Sequence, residues 1–166
     1  MAHLKYTTWQ TQRGLTLVEL MVTIAVIAIL ATTAVSTMSN MRAKQQVIEA
    51  ASAIAAKVQR AKSLARAKSE DIQLIVSSTA VTIQDKAATP NVLDALDFSN
   101  QYSDVTVAAS TGTFGLSFLR GTMSAGNITV VSNTADYAAR IVITGQGRIR
   151  FCSDDGLENY YGKVCT

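Results

Sequence analysis

Gly147-Arg148-Ile149-Arg150, seven residues after Arg140 and just ahead of Cys152, is the stretch of this chain best suited to binding chemistry. On an extended strand side chains alternate, so Gln146, Arg148 and Arg150 are expected to share one face while Ile149 and Phe151 point the other way. Arginines two apart on a strand stand roughly 6.5–7 Å apart, close to the spacing of successive phosphates along a nucleic-acid strand. A guanidinium can grip a phosphate through two parallel hydrogen bonds. Gly145 and Gly147 remove side chains that would hold a backbone away. Asp154, Asp155 and Glu158 follow closely and offer a competing role, as partners of the same arginines. Spacing leaves both readings open: an anion site, or a salt-bridged hairpin edge.

The second chemically unusual residue is Glu19. From Leu15 to Val35 it is the only charge. A run of that length suits a helix crossing about 30 Å of hydrocarbon. A carboxylate at the centre of such a span costs about 2.5–3.5 kcal/mol, so it is usually paired and functional; the plainer alternative is a carboxylate near the interface that reaches water. No second run of this kind occurs, which predicts a single span. The basic start (Lys5, Arg13) resembles a secretory signal, but the apolar segment is too long and has only a weak cleavage candidate after it, Ala34-Val35-Ser36.

Other chemistries find little support. The one histidine, His3, lies at the far N-terminus, away from any nucleophile, and the acids show no acid–base spacing. Two cysteines and one distant histidine make no metal set. We expect no enzyme, no cofactor and no metal. Cys152 and Cys165 read by default as a disulfide in an exported domain, with two reduced thiols as the alternative. Closing that loop would contribute roughly 3 kcal/mol in the chain-entropy account.

These groups need elements to position them. No glycine stands between Gly14 and Gly112, and no proline before Pro90. Val47, Ala51, Ile54, Val58, Ala61 and Ala65 recur at spacings of four and three, an apolar helical stripe. One helix is expected from about Leu15 to about Ala67, with its first half apolar and its second amphipathic. After Lys68, alternating runs suggest strands at Ile72–Val76, Ala80–Gln84, Val105–Ala108, Thr113–Leu119, Asn127–Val131, Ala139–Thr144 and Arg148–Cys152. Asn91 to Asp104 reads as an irregular connection. The fold class is α+β: a long N-terminal helix, transmembrane then amphipathic, packed on a small antiparallel β-sheet or sandwich. Expected boundaries are 1–14, a leader; 15–35, the apolar helix; 36–68, the amphipathic helix; and 69–166, the β-rich domain.

The net charge of +3 hides an asymmetry. Leu20 to Ser69 holds seven bases and one acid, whereas Glu70 to Thr166 holds six bases and ten acids. Binding by bulk charge is therefore unsuited to the C-terminal part, and an anion site there must be local. The helix bases from Lys57 to Lys68 would attract DNA, although solvated bases on a helix face are ordinary.

Gly14-Leu15-Thr16-Leu17-Val18-Glu19 resembles the class III signal of type IV pilins and pseudopilins. The resemblance implies cleavage by a prepilin peptidase after Gly14, N-methylation of Leu15, and pairing of Glu19 with a neighbouring subunit's N-terminal amine during filament assembly. It also implies an inner-membrane, single-pass subunit with a periplasmic domain, later carried on a pilus among other pilins. Leu15 stands where the family most often has Phe. The helix lacks the proline usual in major pilins, which fits a minor subunit. The chain as a whole is similar to minor pilins of the FimT and GspH group, in whose FimT branch a Gly-Arg-x-Arg tail motif is associated with binding DNA during natural transformation. Gly147-Arg148-Ile149-Arg150 matches that motif. The resemblance implies DNA as the partner, contacted mainly at phosphates, with Gln146, Arg140 and Lys163 widening the patch. Tyr160 and Tyr161 suit base stacking or plain packing. A structural minor pilin or type II secretion pseudopilin that primes or caps a filament is the alternative.

Overall fold

The computed structural model describes residues 16–153, with side chains described except at 33–37. The chain divides into two compact units, Met1–Met38 and Ser39–Thr166. One helix, α1 (Leu17–Lys68), contributes to both.

In the first unit the helix begins with a cap. Thr16 Oγ1 accepts a hydrogen bond from the Glu19 backbone N–H at 3.3 Å. Thr-x-x-Glu at this place is the capping-box pattern, in which the threonine satisfies an orphan donor of the first turn. Glu19 therefore stands in the first turn, not at the centre of the helix, and there its charge complements the positive end of the helix dipole. The hydroxyls of Thr23 and Thr32 donate back to the carbonyls of Leu20 and Ile29, so these polar side chains are satisfied within the helix. Leu17, Met21, Ile24, Ile27 and Leu30 are exposed, as are the apolar residues between them. Apolar surface on every side of a helix calls for lipid or partner helices around it. Among the described residues no helix is long and apolar enough to cross a membrane. The described side chains cover only 16–32 of the expected Leu15–Val35 segment, fewer than the roughly 20 residues a span needs.

In the second unit α1 lays its stripe on β-structure. Val47, Ala51, Ile54, Val58 and Ala61 are fully buried, and Ala65 nearly so. The helix ends in a Schellman motif. Glu70 N–H bonds the Ala65 carbonyl, Ser69 N–H bonds the Arg66 carbonyl, and Ser69 takes a left-handed φ of 55°. With no glycine available there, a serine adopts the conformation.

Eight strands follow: β1 (Ile72–Val76), β2 (Ala80–Asp85), β3 (Val92–Asp97), β4 (Val105–Ala109), β5 (Thr113–Leu116), β6 (Gly126–Ser132), β7 (Ala138–Ile143) and β8 (Ile149–Ser153). They form two antiparallel four-stranded sheets, ordered β3-β2-β1-β5 and β4-β6-β7-β8. Both inner faces and the helix stripe share one apolar cluster, with Phe98, Phe114, Leu74, Ile83, Ile128 and Ile141 among its largest buried side chains. The α+β expectation is met: a long helix on antiparallel sheets.

Two local expectations fail. Asn91 to Asp104 is not simply irregular, because it contains β3. Val-Leu-Asp-Ala-Leu-Asp lacks a period of two, so it does not read as a strand. The strand is held from outside its own sequence. Its register with β2 shifts between Ile83 and Gln84, and Asp94 is pinned by two helix bases, Lys57 Nζ at 2.7 Å and Arg60 Nε at 2.8 Å. The expected strand Thr113–Leu119 stops at Leu116, since residues 117–122 turn back and Ser117 N–H bonds the Thr122 carbonyl.

Candidate functional site

The arginine motif sits on the β7–β8 hairpin. Thr144 and Arg148 face each other across its mouth, with the Thr144 N–H donating to the Arg148 carbonyl at 3.0 Å. Between them Gly145, Gln146 and Gly147 form a three-residue loop. Gly147 N–H bonds the Thr144 carbonyl at 2.7 Å, and Gly147 closes the loop with φ +68°. A turn followed by one left-handed residue is a standard three-residue hairpin connection, and glycine is the residue that takes that conformation without strain. Gln146 is therefore at the tip of a turn and not in line with the arginines on a strand. The strand begins at Ile149, later than a fully extended 146–150 would require.

Arg148 and Arg150 are both exposed, and Ile149 between them is half-buried. In register, Arg150 faces Val142 and Cys152 faces Arg140, while Ile141 and Ile143 are buried on the opposite side of the sheet. Alternation then places Arg140, Val142, Arg150 and Cys152 on one outward face. Arg140 is half-buried there, closer to the sheet than the other two. Among the described residues no carboxylate forms an ion pair with Arg148 or Arg150; the described pairs both belong to Asp94. Cys152 is 8% exposed and is not a free thiol. Its expected partner Cys165 lies outside the described residues, as do Lys163, Asp154, Asp155, Glu158, Tyr160, Tyr161, Gly14 and Leu15.

The hairpin is held by groups far from it in the chain. Lys62, on α1, donates from Nζ to the Gly147 carbonyl at 2.8 Å. A Cβ on Gly147 would stand 3.2 Å from both Cε and Nζ of that lysine. Glycine is favoured by its φ, and a side chain there would also push the end of Lys62 aside by a few tenths of an ångström. A second strap comes from the 117–123 loop, where Met123 N–H bonds the Gly145 carbonyl at 3.0 Å. Three of the helix bases that read as ordinary solvated charge are engaged: Lys57 and Arg60 on Asp94, Lys62 on the turn. The hydrogen bond from Lys57 is the main reason the Asp94 carboxyl is held below the usual carboxylate range; partial desolvation opposes it, and the charges of Lys57 and Arg60 add to it. The position of Lys62 on the basic helix face is visible in the sequence, but its partner, 85 residues away, is not.

Residues 9–35 match the family described as the prokaryotic N-terminal methylation motif. No curated protein matches this sequence significantly. Among solved structures, the chain is similar to the minor pseudopilin EpsH from the type 2 secretion system of Vibrio cholerae, with TM-score 0.55 at 9% identity, over 67% of this chain and 99% of that one. It is also similar to the type IV minor pilin FimU of Pseudomonas aeruginosa in two crystal forms. The TM-scores are 0.53 and 0.55, the identities 17% and 16%, and the coverage 65% and 68% of this chain against 97% and 96% of those. At these identities the likeness speaks for the fold. The chain carries an N-terminal methylation motif and has the pilin-like fold seen in these minor pilin and pseudopilin structures.

Proposed function

We propose that this protein is a minor type IV pilin that captures extracellular DNA on its β7–β8 hairpin and assists uptake during natural transformation. The observation that carries this reading is the exposure of Arg148 and Arg150 on a hairpin tied down at both glycines, with no described carboxylate neutralising them. A hairpin backbone already held in place needs no ordering on binding phosphate, and each guanidinium can grip a phosphate through two hydrogen bonds. Contacts go mainly to phosphates, so binding is weakly sequence-specific and strongly salt-dependent. Arg140, on the same face, and the exposed Gln146 extend the surface, and Lys163 is a further candidate from the tail. Two to four cationic contacts give modest affinity, which several copies in a filament would raise.

In this reading the motif at residues 9–35 marks a subunit processed by a prepilin peptidase after Gly14, N-methylated at Leu15 and anchored in the inner membrane before assembly. Glu19 then serves assembly, pairing with the N-terminal amine of a neighbour. Cys152 and Cys165 form the disulfide that holds the tail beside β8. The test is a titration of fluorescein-labelled DNA by the full chain in nonionic detergent micelles, followed by anisotropy at two salt concentrations. Arg148→Gln/Arg150→Gln should bind at least tenfold more weakly at low salt. Equal binding by the double variant would refute the hairpin as the site.

The similarity to EpsH and FimU favours a second reading, a structural subunit that primes or caps a filament. It predicts that the wild type binds no DNA at low salt, and that loss of the subunit reduces filament number.

A further inference from the structure

Beside the hairpin lies a small cleft that the arginine motif does not include. Its walls are Lys62, Arg66, Ser117, Phe118, Thr122 and Met123. Lys62 and Arg66 are four apart on α1 and so lie on one face of it. The two hydroxyls come from the 117–122 turn, the same loop that straps the hairpin through Met123 and Gly145. The enclosed space is about 20 Å³, room for a water and not for a phosphate, so an anion held by Lys62 and the exposed Arg66 rests at its mouth.

Lys62 belongs to both places. One of the three ammonium donors goes to the Gly147 carbonyl, which leaves two for a ligand. Among the described residues no carboxylate pairs with Lys62 or Arg66. Arg66 and Lys68 are last-turn bases and suit the negative end of the helix dipole. Lys62 stands more than a turn before that end, so the dipole does not account for it.

We propose that the mouth of this cleft, between Lys62 and Arg66, is a second phosphate subsite, continuous with the arginine hairpin through Lys62. A nucleic-acid strand that lies along Arg150 and Arg148 passes the turn and places a further phosphate between Lys62 and Arg66, with the Ser117 and Thr122 hydroxyls as neutral donors. The subsite deepens the DNA-binding reading and rests on it. It makes the bound strand cross from the sheet edge onto the helix, so the helix face sets its direction.

The test again uses the full chain in detergent micelles with a labelled single-stranded DNA oligonucleotide, and reads the dependence of affinity on salt. Removing one cation from the phosphate backbone lowers the slope of log K against log salt by about 0.7 for a single strand. Arg66→Gln should lower the slope by about that amount and weaken binding severalfold at low salt. Lys62→Gln should do at least as much. Arg42→Gln, which removes the same charge about 30 Å away along α1, should leave the slope unchanged. If Arg66→Gln and Lys62→Gln titrate like Arg42→Gln while Arg148→Gln/Arg150→Gln weakens binding, the cleft is refuted and the hairpin stands. If the wild type binds no DNA at low salt, both fall. Arg66 makes no hydrogen bond or ion pair from its side chain among the described residues, so its variant reports on binding without a folding defect.

Discussion

Replacing Gly147 by alanine tests the construction of the hairpin more sharply than removing its arginines. Three effects add. Alanine at φ +68° meets the left-handed penalty of about 1–2 kcal/mol. The new Cβ would press on Lys62 Cε and Nζ at 3.2 Å, which the flexible end of that side chain can relieve only by moving. Moving it by a few tenths of an ångström stretches the 2.8 Å bond from Nζ to the Gly147 carbonyl and forfeits part, about 1–2 kcal/mol, of what a hydrogen bond from a charged donor contributes. Together Gly147→Ala should destabilise by about 2–4 kcal/mol. The steric and hydrogen-bond parts pass through Lys62, whereas the backbone part does not. In a Lys62→Ala background the same glycine substitution should therefore cost only about 1–2 kcal/mol, a coupling of at least about 1 kcal/mol between the two sites. Urea denaturation of a chain beginning at Ser39, which retains every residue of the buried core, measures all four corners of the cycle. Exchange of the Gly147 amide, bonded to the Thr144 carbonyl, should speed up in Gly147→Ala beyond the change in global stability. A glycine substitution equally costly in both backgrounds would refute the idea that Lys62 holds the turn.

Asp94→Asn should cost about 1–2 kcal/mol near neutral pH, since it removes both helix bases from a strand edge that is only partly exposed. Because the folded carboxyl is held below its ordinary value, this stability is present above about pH 4 and is lost as pH falls through the lower folded value; a gap between wild type and variant that stays constant from pH 7 to the lowest pH of the folded chain would be the wrong outcome. Glu19→Val should leave the amount of the protein in the membrane unchanged but reduce its recovery in sheared filaments, and undiminished recovery would remove Glu19 from assembly. Cys152→Ser should lower unfolding stability by roughly 3 kcal/mol and make it insensitive to reductant; a wild type equally indifferent to reductant would argue against the bridge to Cys165.

Much of this molecule is written locally. The stripe from Val47 to Ala65 fixes which side of α1 is buried, because apolar residues at spacings of four and three have one face in common. The alternating runs give seven of the eight strands, since one buried face of a sheet demands a period of two. The Thr16–Glu19 cap and the pair of glycines around Gln146 are likewise short-range, and so is the alternation that sends Ile149 inward and the arginines outward. Tertiary structure decided the rest. β3 has no period of its own and is a strand because its backbone pairs with β2, while Lys57 and Arg60 tie its Asp94 to α1. Gln146 left the arginine face because Gly147 turns left-handed, which is favoured by φ freedom and by the space left to Lys62. The bond between Lys62 and Gly147 joins residues 85 apart in the chain, and no local pattern marks it. Periodicity in a sequence records which face meets the core, whereas the partner of a single charge is set only when the folded chain brings it within reach.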